Sequence, residues 1–136
     1  MTAEGLAQLH AACFEVPRPW TSEEFQALLA DPAVRVLTEA SALIALRIAG
    51  PEAEVLTICT HPEARQSGIG RALLHRAESE ALAAGVEEVF LEVSDSNSAA
   101  LALYAAAGYK SVGRRKDYYS GPNGTKVSAI VLKKLL

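Results

Sequence analysis

The run Arg65-Gln66-Ser67-Gly68-Ile69-Gly70-Arg71 lies between a strand-like stretch ending at Thr60 and an amphipathic stretch starting near Gly70. Its residue types suit an anion. A phosphate needs several N–H donors converging on it; glycines let a backbone approach closely, and a helix start offers unpaired N–H groups and a favourable dipole. Arg65 and Arg71 can add charge. Two nucleotide signatures fail on spacing. The dinucleotide fingerprint needs a third glycine where Leu73 stands, and the triphosphate loop needs Gly-Lys-Ser/Thr where Gly70-Arg71-Ala72 stands. On spacing alone, a tight turn with no ligand is the commoner use of such a glycine pair. Two further side chains stand out. Glu92 interrupts an apolar run, and Tyr104 sits in an alanine-rich helical stretch.

The elements that must position these residues follow from periodicity. Leu6, Leu9 and Cys13 recur at helical spacing, with Pro17 and Pro19 ending that helix. Thr21-Ser22-Glu23-Glu24 reads as a capping box opening a second helix, with Phe25, Leu28 and Leu29 as its apolar face. Strands are predicted over Val34 to Thr38, Ala42 to Ala49 and Val55 to Thr60. The next helix runs from about Gly70 to Ala84, with Ile69, Leu73, Ala77 and Ala81 on one stripe and Arg71, His75 and Glu78 on another. Gly85 stands where a left-handed cap belongs. Val86 to Val93 reads as a strand whose period of two puts Phe90 and Glu92 on one face and Val89, Leu91 and Val93 on the other. Asn97 or Ser98 caps a last helix through Leu101 and Tyr104. Two strands, Tyr109 to Arg115 and Val127 to Leu132, flank the turn-rich Ser120-Gly121-Pro122-Asn123-Gly124. The pattern is an α/β (α+β) chain, a sheet with helices on its faces.

Half of the 136 residues are hydrophobic, enough for a core without staples, and the length is that of one domain, residues 1–136. A net charge of −3 with interspersed signs argues against a general nucleic-acid binder. Cys13 and Cys59 read as reduced thiols, and His10, His61 and His75 are too scattered for a metal-ligand pattern. No apolar run approaches the ~20 residues of a membrane span. Glu4 and the lack of a basic leader region make a signal peptide unexpected, so a cytoplasmic location is the default expectation.

The run Arg65-Gln66-Ser67-Gly68-Ile69-Gly70 resembles the Arg/Gln-x-x-Gly-x-Gly/Ala signature of the GNAT superfamily of acetyltransferases. Further pieces are similar to its RimI-type branch, which acetylates the N-terminal alanine of a ribosomal protein. They are Pro19-Trp20-Thr21, Ala53 to Ile58, Leu91-Glu92-Val93, Ser96-Asn97, Ala102-Leu103-Tyr104, Gly108-Tyr109, and Gly113-Arg114-Arg115 with Tyr118-Tyr119. The resemblance implies a mixed central sheet of about six to seven strands flanked by about four helices. The family's first strand is expected before Thr2, where it is either lacking or reduced to its end. Acetyl-CoA is the implied cosubstrate, with no metal, no membrane and no direct nucleic-acid partner. Oligomeric state is not addressed by the sequence.

The resemblance also assigns roles. Backbone groups of Ile58, Cys59 and Thr60 meet the pantetheine, while Gln66, Ser67, Gly68, Ile69, Gly70 and Arg71 cradle the pyrophosphate. Asn97 contacts the cofactor arm, Glu92 is the general base, and Tyr104 is the general acid that also touches the cofactor. Without the motif, Glu92 is an ordinary strand glutamate and Tyr104 a packing residue. Trp20, Tyr118 and Tyr119 are candidate acceptor walls, although Trp20 is equally a packing residue at a helix start. An α-amine has a pKa of about 7.7–8.0 against about 10.4 for lysine, so a modest base suffices for a peptide N-terminus. Ser94 and Ser128 stand where relatives often carry a basic and an acidic residue, which leaves the acceptor open. It is a protein N-terminal alanine or a small amine such as a polyamine, amino acid or drug; a third reading is an acyl-CoA-binding module without turnover.

Overall fold

The computed structural model describes residues 1–14, 18–65 and 67–136. It opens with α1 (Ala3–Cys13), capped by Thr2, whose hydroxyl accepts the Gly5 N–H at 3.0 Å. In α2 (Ser22–Ala30) the expected capping box is present. Thr21 Oγ1 accepts the Glu24 N–H at 3.2 Å, and the Glu24 carboxylate accepts the Thr21 N–H at 3.0 Å. Arg18, bonded to the same carboxylate, holds the Glu24 carboxyl down to about 2. Phe25 is fully buried and Leu28 half-buried, but Leu29 is exposed. A nine-residue helix packed beside α1 on one face of the sheet buries only a narrow stripe.

Six strands follow: β1 (Val34–Glu39), β2 (Ala42–Ala49), β3 (Glu52–Thr60), β4 (Glu88–Ser94), β5 (Lys110–Ser120) and β6 (Lys126–Leu135). Between them lie α3 (Ile69–Ala83) and α4 (Ser98–Ala106). The sheet order is β1-β2-β3-β4-β6-β5, antiparallel except for the β3–β4 pair. Strands β3, β5 and β6 exceed their sequence-based bounds by several residues, and β1 and β4 by one at their ends. β3 starts at Glu52 and not Val55, because Glu52, Ala53 and Glu54 pair on both sides. β5 runs on to Ser120 because Tyr119 and Ser120 find partners on β6.

The larger core lies between the sheet and α3 with α4, around Leu46, Val55, Leu73, Ala77 and Leu91. The smaller one lies on the other face, where α1 and α2 bury Leu6, Leu9 and Phe25 against Leu43 and Cys59. Glu78, placed by periodicity on a polar stripe, is buried. It accepts from the Tyr109 hydroxyl at 2.9 Å and from Lys134 Nζ at 3.0 Å, so three groups satisfy one another inside.

One irregularity organises the middle of the sheet. Ala45 faces Thr57 while Leu46 faces Val55, so Leu56 is an extra residue on β3, a β-bulge. Before it, Ala53 and Val55 point into the larger core. After it, Ile58 takes that side, while Thr57 meets α1 and Cys59 joins the smaller core. The parallel register with β4 runs from Glu52↔Glu88 to Val55↔Leu91 and goes no further. Leu56–Thr60 and Glu92–Ser94 therefore diverge.

Candidate active site

Where β3 and β4 part, a cavity of about 60 Å³ opens, lined by Thr57 and Ile58 of β3, Glu92 and Ser94 of β4, and Asn97 and Tyr104 of α4. Phe14 and Tyr119 close its mouth. Tyr104 is only 4% exposed, and burial, reinforced by Tyr119, pushes its phenol above the usual tyrosine value. The hydroxyl thus stays protonated at neutral pH. Its ring meets Tyr109 edge-on, centroids 5.6 Å apart, above the Glu78–Lys134 pair. Asn97 is the cap of α4: its Oδ1 accepts the Ala100 N–H at 3.1 Å, which leaves the carboxamide NH2 for another partner.

The glycine loop ends beside this cavity. Gly68 caps α3 at φ +82°, a left-handed conformation that favours glycine, and supplies no side-chain oxygen to the helix start. The first intrahelical bond there is Ala72 N–H to the Gly68 carbonyl, 3.0 Å, so the N–H groups of Ile69, Gly70 and Arg71 lie ahead of the ladder. Gly70 is small for a different reason. A Cβ there would stand 3.3 Å from Thr60 Oγ1, so glycine lets α3 begin against the end of β3. The exposed Ser67 donates to the Ala64 carbonyl. Arg65 folds back: its Nε donates to the Thr60 carbonyl at 3.1 Å, the same oxygen that receives Cys13 Sγ at 3.3 Å. Gln66 lies outside the described residues. A hydrogen bond to Cys59 and the nearby Arg65 draw the Cys13 thiol down to about 7, whereas Cys13 and burial push Cys59 up. Cys59 is a small thiol buried in the smaller core.

The opposite wall is open. Glu92 also lines a shallow groove of about 340 Å³ along the bare sheet face, with Arg47, Glu54, Phe90, Arg115 and Val131. Glu92 Oε1 forms an ion pair with Arg115 Nε, 2.9 Å away. A second irregularity builds this wall. Arg115 pairs with Ala129 and Tyr119 with Val127, so Lys116, Asp117 and Tyr118 stand opposite Ser128 alone. Asp117 takes φ +52°, and its N–H donates to Ser128 Oγ at 3.2 Å in place of a ladder bond. Tyr118 is half-exposed with the Arg115 guanidinium 5.0 Å from its ring centre, and Tyr119 meets it edge-on at 5.1 Å. Burial, then Glu92, pushes the Tyr119 phenol up to about 12.

Trp20 is placed elsewhere. Its ring stacks on His10 at 4.9 Å, and its N–H donates to His10 Nδ1 at 3.0 Å. That bond fixes the tautomer: Nδ1 accepts, so Nε2 carries the proton and donates to Thr57 Oγ1 at 2.9 Å. Burial lowers the ring's pKa to about 4. Among the described residues His10 and Phe14, whose tilted rings lie 4.5 Å apart, stand between Trp20 and the cavity.

The Acetyltransferase (GNAT) family model matches residues 4–109. The chain belongs to the GNAT acetyltransferase family. It is 36% identical to the N-alpha-acetyltransferase RimI of Mycobacterium tuberculosis over 126 residues, 86% of this chain and 78% of that protein. Over 80 residues, 59% of this chain, it is 36% identical to the ribosomal protein bS18-alanine N-acetyltransferase of Escherichia coli. It spans about half of that relative, 54% of its length. The crystal structure of the Escherichia coli ribosomal-protein-S18-alanine N-acetyltransferase superposes with a TM-score of 0.86 at 25% identity, covering 98% of this chain and 86% of that one. The six strands and four helices are thus a GNAT sheet. Among the described residues no cluster of three or more His, Cys, Asp or Glu is placed to hold a metal, and no helix is long and apolar enough to cross a membrane.

Within this GNAT frame the structure brings Ile58, Asn97, Tyr104, Glu92 and Tyr119 to one cavity, with Gly68 to Arg71 beside it. It adds residues that sequence reasoning passed over. His10, Phe14 and Thr57 were hidden by distance: His10 and Thr57 are 47 positions apart. Arg115 had a signal, a cation three residues before a tyrosine pair on a predicted strand, but nothing local tied it to Glu92.

Proposed function

We propose that this chain is a single N-acetyltransferase domain that transfers the acetyl group of acetyl-CoA directly to an amine, the α-amine of an N-terminal alanine in a ribosomal protein. The observation that carries the reading is the parting of β3 and β4, where Glu92 and Tyr104 line one cavity and α3 begins against the end of β3. The N–H groups of Ile69, Gly70 and Arg71 fit a pyrophosphate because they precede the helix's own ladder and Gly68 offers no side chain in their way. Ser67 and the Arg71 side chain are proposed to complete the cradle. When bound, acetyl-CoA supplies an activated thioester carbonyl and a thiolate leaving group. Ile58, Cys59 and Thr60 offer backbone groups that β4 does not engage, and the Asn97 carboxamide can donate to the cofactor arm. Glu92 takes the proton from the attacking amine, and the protonated Tyr104 gives one to the departing sulfur.

The shape of the acceptor side favours a peptide. Small-molecule sites are usually enclosed, whereas the groove beyond Glu92 lies open along the sheet, lined by Arg47, Glu54, Phe90 and Arg115. Tyr118, half-exposed beside Arg115, and Tyr119 are the proposed acceptor residues next to it. Trp20 instead stacks on His10. An acceptor screen with radiolabelled acetyl-CoA tests the reading. An Ala-starting ribosomal peptide should be acetylated faster than lysine peptides or polyamines. Preferential labelling of polyamines would move the acceptor to small amines, and no melting shift at millimolar acetyl-CoA would sink the cofactor assignment.

A further inference from the structure

We infer that Arg115 is a positioning residue for the acetyl transfer, holding the Glu92 carboxylate in the orientation in which it receives the proton of the acceptor amine. The inference rests on the proposed role of Glu92 as base. The contact is specific in its atoms: Arg115 Nε stands 2.9 Å from Glu92 Oε1, the one ion pair this carboxylate makes among the described residues. Charge attraction at Oε1 turns that oxygen toward Arg115 and leaves Oε2 for the amine or a relaying water. The Glu92 side chain is 21% exposed and that of Arg115 is 56% exposed, so the pair stands on the rim where cavity and groove meet. An ion pair this exposed adds little to stability, so the fold does not depend on it.

Arg115 is itself held. Its guanidinium lies 5.0 Å from the Tyr118 ring centre, and Tyr118 owes its place to the bulge opposite Ser128 that the Asp117 N–H to Ser128 Oγ bond secures. A strand without the bulge would put residue 118 in a different register. Thus Ser128, Asp117, Tyr118, Arg115 and Glu92 form a chain of contacts that ends at the open carboxylate oxygen. Arg114, one residue earlier, points its charge the other way and pairs with Asp95 at 3.1 Å.

A double-mutant cycle on the full chain tests this. Arg115→Met keeps a side chain of similar reach without the charge. It should lower kcat about tenfold, the scale of a lost orientation effect, while KM for acetyl-CoA, the acetyl-CoA melting shift and the unliganded melting temperature stay unchanged. Arg115→Lys should recover part of kcat. In a Glu92→Gln background, Arg115→Met should have less than about a twofold further effect, because it acts through Glu92. Additive losses in the double variant would overturn the inference, as would an unchanged kcat in Arg115→Met. An unchanged kcat in Glu92→Gln alone would remove the base itself and the positioning role with it. Comparing the single variants separates these failures.

Discussion

The cleft wall that carries Gly68, Asn97 and Tyr104 is built from helix starts, whereas the facing wall, with Glu92, Arg115 and Tyr118, is built from strands. On the first wall each feature is local: a left-handed glycine, a helix cap, a tyrosine two turns into a helix. On the second, each feature depends on which residue of one strand meets which residue of another. The first wall offers backbone N–H groups, which any sequence supplies once the conformation is right. The second offers side chains of chosen charge. On the proposed reading, the wall that holds the cofactor can stay fixed while the acceptor wall is rebuilt, and damage to the two walls should be separable in kinetics.

The largest expected effect breaks the first wall at its chemistry. Tyr104→Phe, which keeps the packing against Tyr109, should lower kcat about 100-fold with the acetyl-CoA melting shift retained. Unchanged turnover would leave Tyr104 a packing residue. Next comes the region behind both walls. The His10 ring is held neutral, with its pKa lowered to about 4 in the folded chain against about 6.5 when unfolded. The unfolded chain therefore binds a proton that the native one refuses. Stability is fully present above pH 6.5 and falls as the pH drops toward 4, by up to about 3 kcal/mol. Urea titrations at several pH values should show this slope weakened in His10→Asn; an equal slope in both proteins would contradict the assignment.

A smaller effect sharpens the contrast. Gly68→Ala meets no atom within 4 Å, so its cost comes from the φ of +82°, about 1–2 kcal/mol. Equilibrium binding should show weaker acetyl-CoA affinity, while the ranking of acceptors in competition assays stays as in the wild type. A changed ranking would mean that the walls are not independent. The smallest lies outside both walls. Thr21→Ala removes the capping box and should cost about 1 kcal/mol in chemical denaturation, with kcat and the acetyl-CoA melting shift untouched.

The legible parts were those whose cause lies within a few residues. The Thr21–Glu24 box, the Asn97 cap, the left-handed Gly85 and the alternation that turns Glu92 away from Val89, Leu91 and Val93 all stand as read. Leu29 and Glu78 were misread because helical periodicity says which residues share a stripe, not how wide the buried stripe is. Glu78 goes inside because Tyr109 and Lys134, 31 and 56 positions away, are there to receive it. The bounds of β3 and β5 were short because strand ends are set by available partners, and Glu52 and Tyr119 have them.

By itself the sequence determined the helix starts, the glycine turn ahead of α3 and the face on which Glu92 stands, since caps, turns and pleats are governed by neighbouring residues. Only the tertiary structure decided that Leu56 is an extra residue, that β3 and β4 part beyond Val55 and Leu91, and that Arg115 meets Glu92. Those outcomes depend on register, and register is a relation between two strands that neither carries alone.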